Sequence, residues 1–427
     1  MSTRITSVNG YRIWDSRGRP TLEVVVRLQD GTVGHGIAPA GASRGSHEAI
    51  ELRDGGSRFG GLGVDQAILK VNGPVRVALI GMDAANQADV DARLLSLDAS
   101  PTKSVLGGNT TVATSLAVLH ASAKAAGLPL WRHLSQGGPV TMPLPEVQIF
   151  GGGAHAGRRV DIQDFLVMPV GAQSFDEAMC MCAEIYRHAG LLMQERGSLA
   201  GVADEGGWWP AFTSNEDALE ALTLAIDRAG YGQGQAVISL DIAASEFGRD
   251  GRYRLALEDK VYDTDAWLDV LASWLSRYPI ASIEDPVAED DAAGMAKFTQ
   301  AFGRKIQIIG DDFLVTNAQR VDQAVAAGSC NAVLVKPNQA GTISEARAAM
   351  QAGQRAGWGT VISARSGETE DVAITHLAVG WNAGQLKVGS FARSERMAKW
   401  NEALRIERES GGAIPFVGAS ALPTHRA

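Results

Sequence analysis

Cysteine is scarce in this chain, and what there is forms no framework. Cys180, Cys182 and Cys330 are the three in 427 residues, too few and too unevenly spaced for a disulfide scaffold or a CxxC metal site. Cys180 and Cys182 fall in a Met-rich apolar stretch that reads as buried helix. Long apolar runs are missing as well. None approaches the length of a membrane span, and the opening residues Met1-Ser-Thr-Arg-Ile-Thr hold no signal-peptide core. The expectation is a cytoplasmic protein with no membrane partner. Positive charge is not in excess: a net charge of −9 argues against non-specific nucleic-acid binding. The glycine run Phe150-Gly-Gly-Gly-Ala-His155 lacks the GxGxxG spacing of a dinucleotide fingerprint. What remains is an ordinary globular composition, long enough for a barrel of roughly 250 residues and a second domain.

Against that background one pattern stands out. Four short, β-branched, unpatterned runs each stop on a charged residue. Ala236-Val-Ile-Ser-Leu240 runs into Asp241, Tyr278-Pro-Ile-Ala-Ser-Ile283 into Glu284, Ile306-Gln-Ile-Ile-Gly310 into Asp311, and Asn331-Ala-Val-Leu-Val335 into Lys336. Such runs read as strands buried on both faces, and each is followed by a segment of helical composition. Repeated βα units predict a parallel barrel, whose strand C-terminal ends converge on one mouth. An acid after a strand is by itself commonly a helix N-cap. Three acids and a lysine on successive units are different, because like charges held together are costly without a cation. Asp241, Glu284 and Asp311 offer oxygen ligands only, with no Cys or His nearby, which points to Mg²⁺.

Taken in order, residues 4–13, 21–28 and near 33–38 read as strands, joined first by the turn-rich Asp15-Ser-Arg-Gly-Arg-Pro20. The small-residue loop Ala38-Pro-Ala-Gly-Ala-Ser-Arg-Gly-Ser46 follows, then helical patterns at about 64–80, 86–97 and 109–126. These predict an α+β domain over 1–135 and a barrel over 136–427. Asp161-Ile-Gln163-Asp164 precedes an apolar strand, a helix spans about 174–196, and Asp204-Glu205-Gly-Gly207 suits a turn with exposed carboxylates. Arg365, the Ser366 hydroxyl and nearby backbone N–H groups suit a phosphate, and Lys387 offers a further cation. The bland alternative for Arg365 and Lys387 is a salt bridge to surface acids.

A lysine beside Mg²⁺ has its pKa lowered by cationic repulsion and can act as a base. Its natural target is a proton next to a carboxylate, with Mg²⁺ stabilising the resulting enolate. Glu205 on the opposite face would assist loss of a β-hydroxyl. The residues alone therefore predict metal-assisted α-proton abstraction on a phosphorylated hydroxy acid.

Asp15-Ser-Arg-Gly, Gly41-Ala-Ser43, Glu51-Leu-Arg-Asp54, Asp204-Glu-Gly-Gly207, Ser282-Ile-Glu-Asp-Pro286, Lys336-x-Asn-Gln339, Ser366-Gly-Glu-Thr-Glu-Asp371 and Ala392-Arg-Ser-Glu-Arg396 together resemble enolase, from about residue 4 to 410. The resemblance implies an N-terminal α+β domain, an eight-stranded α/β barrel with irregular first turns, and a homodimer in which Arg17 pairs with acids of Arg405-Ile-Glu-Arg-Glu409. Residue by residue it makes Lys336 the base, Glu205 the acid, His155 the mobile-loop histidine, and Asp241, Glu284 and Asp311 the ligands of a first Mg²⁺. It assigns Gln163 and Lys387 to the substrate carboxylate and Arg365 with Ser366 to its phosphate.

The chain departs from enolases at the reacting end. Ala40 stands where they place a serine that closes over a second Mg²⁺, Arg44 replaces a threonine, and Ala364 replaces a histidine. Asp164 replaces a glutamate, drawing a carboxylate back by about 1.5 Å. Arg44, Arg158 and Arg159 could serve a second anion, and Trp208 and Trp209 could cover an aromatic or nucleobase group. These departures, with Lys336 and the metal acids kept, resemble carboxyphosphonoenolpyruvate synthase. That implies transfer of a carboxyphosphono group onto enolpyruvate from nucleotide-linked phosphonoformate. The alternatives are plain enolase, dehydrating 2-phosphoglycerate, and a non-catalytic paralogue that binds a protein partner.

Overall fold

The structure, a computed structural model, describes residues 2–232 and 234–425. Its first strands are β1 (Ile5–Trp14), β2 (Pro20–Leu28) and β3 (Val33–Ile37), an antiparallel sheet in the order β1-β2-β3. The helix Gly108–Ala125 lies across this sheet and is buried on nearly every side. Its contact with β3 is close enough to demand glycine: a Cβ on Gly34 would lie 2.1 Å from the Ala117 carbonyl oxygen, and one on Gly36 2.3 Å from that of Ala113. The helical pattern over 64–80 is interrupted. Pro74 has no N–H to give, so Asp65–Lys70 and Arg76–Leu79 are α-helical while Val71–Val75 between them is a π-helical turn.

The second unit opens with β4 (Leu144–Gly151), β5 (Asp164–Met168) and β6 (Val237–Asp241). A small antiparallel meander follows, β7 (Gly248–Arg249), β8 (Arg252–Leu255) and β9 (Lys260–Asp263). The chain then runs through β10 (Ile280–Glu284), β11 (Gln307–Gly310), β12 (Ala332–Val335), β13 (Gly359–Ser363) and β14 (Gly384–Gly389). Eight of these close a barrel in the order β4-β5-β6-β10-β11-β12-β13-β14. All neighbours are parallel except β5, which is antiparallel to both β4 and β6. The irregular start implied by the enolase resemblance is thus a single reversed strand. The helix Phe175–Glu195 begins on a Ser174 cap and buries Met181 and Cys182, whereas Cys180 is exposed, against the burial expected for both. No helix among the described residues is long and apolar enough to cross a membrane.

The two units meet over the barrel mouth. Ala40 and Gly367 exchange both backbone hydrogen bonds, 2.9 and 2.8 Å, so the small-residue loop of the first unit is stitched to the loop after β13. Arg17 folds inward within the chain. Its guanidinium donates to the carbonyls of Ala40 and Gly41 at 3.0 and 3.2 Å, and its side chain is 7% exposed.

Candidate active site

The mouth is where the strand-end charges meet. Asp241 and Glu284 end β6 and β10, Asp311 and Lys336 follow β11 and β12, and Lys387 lies within β14; all five are buried. Lys387 Nζ lies 2.8 Å from Asp241 Oδ2 and 2.7 Å from Glu284 Oε2. Lys336 donates to Asp311 Oδ2, whose other oxygen accepts from Gln339 Nε2 at 2.9 Å. Gln163 Nε2 donates to Asp241 at 3.1 Å. Three carboxylates are thus interleaved with two ammonium groups.

The balance is incomplete at Glu284. Burial, and then Asp241, push its pKa well above the usual carboxylate range against the pull of Lys387, and its Oε1 is buried without a hydrogen-bond partner. A buried carboxylate oxygen with no donor, between two other acids, fits a hard cation with oxygen ligands. Asp241, Glu284 and Asp311 could hold such a cation. The acid ligand atoms that converge within 4.8 Å of one another here are those of Asp285, Asp311 and Asp312, with Asp311 common to both sets. Asp285 accepts from the N–H groups of Asp311 and Asp312 at 2.9 and 2.7 Å, yet burial and the Asp311 charge lift its pKa to about 8.

Burial is the largest influence on the Lys336 pKa and lowers it, but the charges of Asp311 and Glu284 together hold it above its ordinary value. With protein charges alone it is an ammonium group.

His155, Asp164 and Glu205 line the same cavity as Lys336. His155 lies on the short turn Gly153–Ala156 in the β4–β5 connection, and Asp164 is the first residue of β5. His155 Nδ1 contacts Asp164 Oδ1 at 2.9 Å, while Nε2 faces Ser366 Oγ at 3.2 Å and Glu205 Oε1 at 3.7 Å. Burial opposes the charged imidazole, but Asp164 and Glu205 raise its pKa to about 9. Burial pushes the Glu205 carboxyl up, but His155 and Arg396 draw it below the usual range. The acid proton on this face therefore sits on His155, with Glu205 as its anionic neighbour. Glu205 is buried, not exposed as expected from its glycine-flanked turn. The backbone of that turn is tied to the barrel by Ser390 N–H to Glu205 O at 2.9 Å.

Arg365 and Ser366 line the same cavity. The guanidinium donates to Glu48 Oε2 at 3.0 Å, Asn338 Oδ1 at 3.1 Å and the Ser43 carbonyl at 2.9 Å. Arg365 is thus in a salt bridge, but with a buried acid of the other unit. Glu48 escaped sequence reasoning because nothing local marks it; it is paired only through the fold. Gln148, which donates to Asp164 and accepts from the Gly207 N–H at 2.8 Å, was missed for the same reason.

The remaining predicted residues do not join the cavity. Arg44, Arg158 and Arg159 are exposed, and Arg158 pairs with Glu246 at 2.6 Å. None of the three is among the residues lining the mouth. Trp208 is committed to packing. Its ring stacks on Tyr186 at 4.7 Å between centroids, its Nε1 donates to the Tyr186 carbonyl at 2.8 Å, and it fills the space beside Gly190. Ala364 does line the cavity, so a methyl group occupies the wall where enolases carry histidine.

Residues 5–134 match the family description "Enolase, N-terminal domain", and residues 139–424 match "Enolase, C-terminal TIM barrel domain". With both domains matched over nearly the whole length, and the metal acids, lysines and histidine gathered at one barrel mouth, the chain belongs to the enolase family.

Proposed function

We propose that this protein is a Mg²⁺-dependent enzyme that takes the α-proton from a phosphorylated three-carbon acid of the 2-phosphoglycerate type and expels its β-substituent to give phosphoenolpyruvate. One observation supports the reading: Lys336 and the His155–Glu205 pair line a single cavity together with Asp241. Bound Mg²⁺ would supply the charge that makes the carboxylate-adjacent proton acidic enough to leave. Lys336 Nζ receives that proton. His155 and Glu205 share the proton that accompanies the departing hydroxyl, and Asp164 fixes the imidazole. Lys387 and Gln163 hold the substrate carboxylate. Arg365 and Ser366 hold the phosphate, the planar guanidinium oriented by Glu48 and Asn338.

A second reading, transfer of a carboxyphosphono group onto enolpyruvate, is favoured by Ala364 in the cavity wall and by Ala40 at the stitched loop, which together remove a histidine and a hydroxyl. Its other supports are weaker, since the three arginines are exposed and Trp208 is packed away. Incubation with Mg²⁺ and 2-phosphoglycerate, followed at the absorbance of phosphoenolpyruvate beside an authentic enolase, separates the two. Comparable turnover establishes dehydration. Substrate binding without turnover rejects it and turns the search to nucleotide-linked phosphonoformate.

A further inference from the structure

A cluster of four guanidinium groups lies outside the mouth. The meander β7–β9 turns on Asp250-Gly251, both at positive φ (49° and 70°), as a two-residue hairpin requires. The turn sets Arg249 directly opposite Arg252, and the alternation of β8 puts Arg254 on the same exposed face while Tyr253 and Leu255 point inward. Like charges directly opposite one another destabilise a strand pair. Here the repulsion is built into a strand only two residues long. These three arginines and Arg158 line a cavity of about 540 Å³, whose floor includes Phe247, Gly248 and Ala256.

Two acids, Asp161 and Glu246, also line it, so four cations face two anions on a chain whose net charge is −9. Asp161 is turned to the backbone, accepting from Ala256 N–H at 2.7 Å and Leu257 N–H at 3.3 Å. Glu246 is paired with Arg158. Arg254 touches Asp259 at 3.2 Å and Arg249 touches Asp250 at 3.8 Å. All four of these side chains are at least 70% exposed, so the pairs are weak and exchangeable. The cavity thus joins an apolar floor to a rim of planar donors, the arrangement that suits a ring with phosphates attached.

It also abuts the catalytic turn. Gly153 and Arg158 belong both to the cavity and to the turn that carries His155, which the Arg158 N–H closes on the Gly153 carbonyl at 2.7 Å. We propose that this cavity binds an organic polyphosphate, a nucleoside di- or triphosphate, through Arg249, Arg252 and Arg254, and that its phosphates compete with Glu246 for Arg158 and so reposition the His155 turn. The proposal holds whichever reaction the barrel performs.

Adenosine triphosphate and inorganic pyrophosphate are titrated into the whole protein by calorimetry without divalent cation, and amide exchange of residues 153–161 is followed in parallel. Binding of both ligands, weakened about tenfold or more in the double variant R252E/R254E, is expected. Tighter binding of the nucleotide than of pyrophosphate assigns a role to the apolar floor; equal binding limits the site to phosphate and overturns the nucleotide assignment. Exchange over 153–161 should change on binding in the parent protein only. A256E, which adds an acid at the floor without touching the hairpin pairing, is the second variant and should weaken binding likewise. No binding of either ligand at millimolar concentration, or binding unchanged in both variants, overturns the site. Binding with unaltered exchange overturns its coupling to His155.

Discussion

His155 and Asp164 are joined across 2.9 Å between Nδ1 and Oδ1, and this one contact decides where the other ring nitrogen points. With Nδ1 held, Nε2 faces Ser366 and Glu205 across the cavity. Removing the charge at Asp164 while keeping its shape frees the ring and weakens the pull that keeps it protonated. D164N should lower kcat for phosphoenolpyruvate formation by about 10- to 100-fold with a much smaller change in KM. Steady-state kinetics with circular dichroism as a folding control reads this. An equal rise in KM alone would make Asp164 a binding group.

Glu284 has a buried oxygen waiting for a donor or a cation. Millimolar Mg²⁺ should therefore raise the Tm of the parent protein by several degrees, and E284Q should lose most of that rise. Differential scanning fluorimetry with and without chelator makes the comparison. An undiminished Mg²⁺ shift in E284Q would move the ion to Asp285, Asp311 and Asp312.

Lys336 is the only base proposed for the α-proton. K336A should reduce exchange of that proton with deuterium from solvent by about 10²- to 10⁴-fold. Nuclear magnetic resonance of 2-phosphoglycerate in D₂O detects exchange even where overall turnover is nil. Persistent exchange would assign the base elsewhere.

Far from the mouth, burial drives the His376 pKa down to about 4, against the pull of Glu402 at 3.4 Å; His120 and Asp371 also face it. The folded ring stays neutral between about pH 6.5 and 4, while the unfolded ring takes a proton. Its contribution is therefore intact above pH 6.5 and is lost progressively as pH falls toward 4. In urea unfolding, the parent protein should lose roughly 1–3 kcal/mol more than H376Q between pH 7 and 4.5. Parallel curves would show that His376 does not titrate in this window.

Gly34 admits no side chain. A methyl group there meets the Ala117 carbonyl oxygen at 2.1 Å and the Ala121 N–H at 2.4 Å, both backbone atoms of a buried helix. G34A should cost about 1–3 kcal/mol or more in chemical denaturation, as an overpacked core position does. The same change at Gly31, which has nothing within 4 Å, tests only its φ of 90°.

The barrel and its charged mouth were legible because buried parallel strands read as unbroken apolar runs, and charges ending such runs are conspicuous. Asp241, Glu284, Asp311 and Lys336 stand out that way, Lys387 only as a further cation within the last strand, and the structure gathers all five. What sequence could not supply was direction and distance between units. Arg158 and Arg159 follow His155 within a few residues, yet the turn buries the histidine and leaves both arginines exposed. Nothing before Glu48 or after it announces that it will meet Arg365 from the other unit. The Asp250-Gly251 hairpin was readable, as Asp-Gly between strand-forming runs is a strong turn signal, but a meander outside the barrel adds nothing to the barrel pattern and so drew no notice.

The reversal of β5 has a consequence for how this scaffold can change. In every other barrel strand the chain must cross back through a helix before it reaches the mouth again. Because β5 descends beside an ascending β4, the connection that carries His155 leaves and re-enters at the same rim, spanning Gly152 to Gln163 with no helix behind it. Both its ends are anchored in the barrel wall, and between them it buries Val160 and Ile162 in the core and is tied through the His155 carbonyl to Asp204 and through Asp161 to Ala256. Exchange of its exposed residues 157–159 would reshape the rim beside His155 while leaving those anchors in place. The fold thus sets Lys336 at the end of one barrel strand and His155 on the connection between two others, so the two can vary independently.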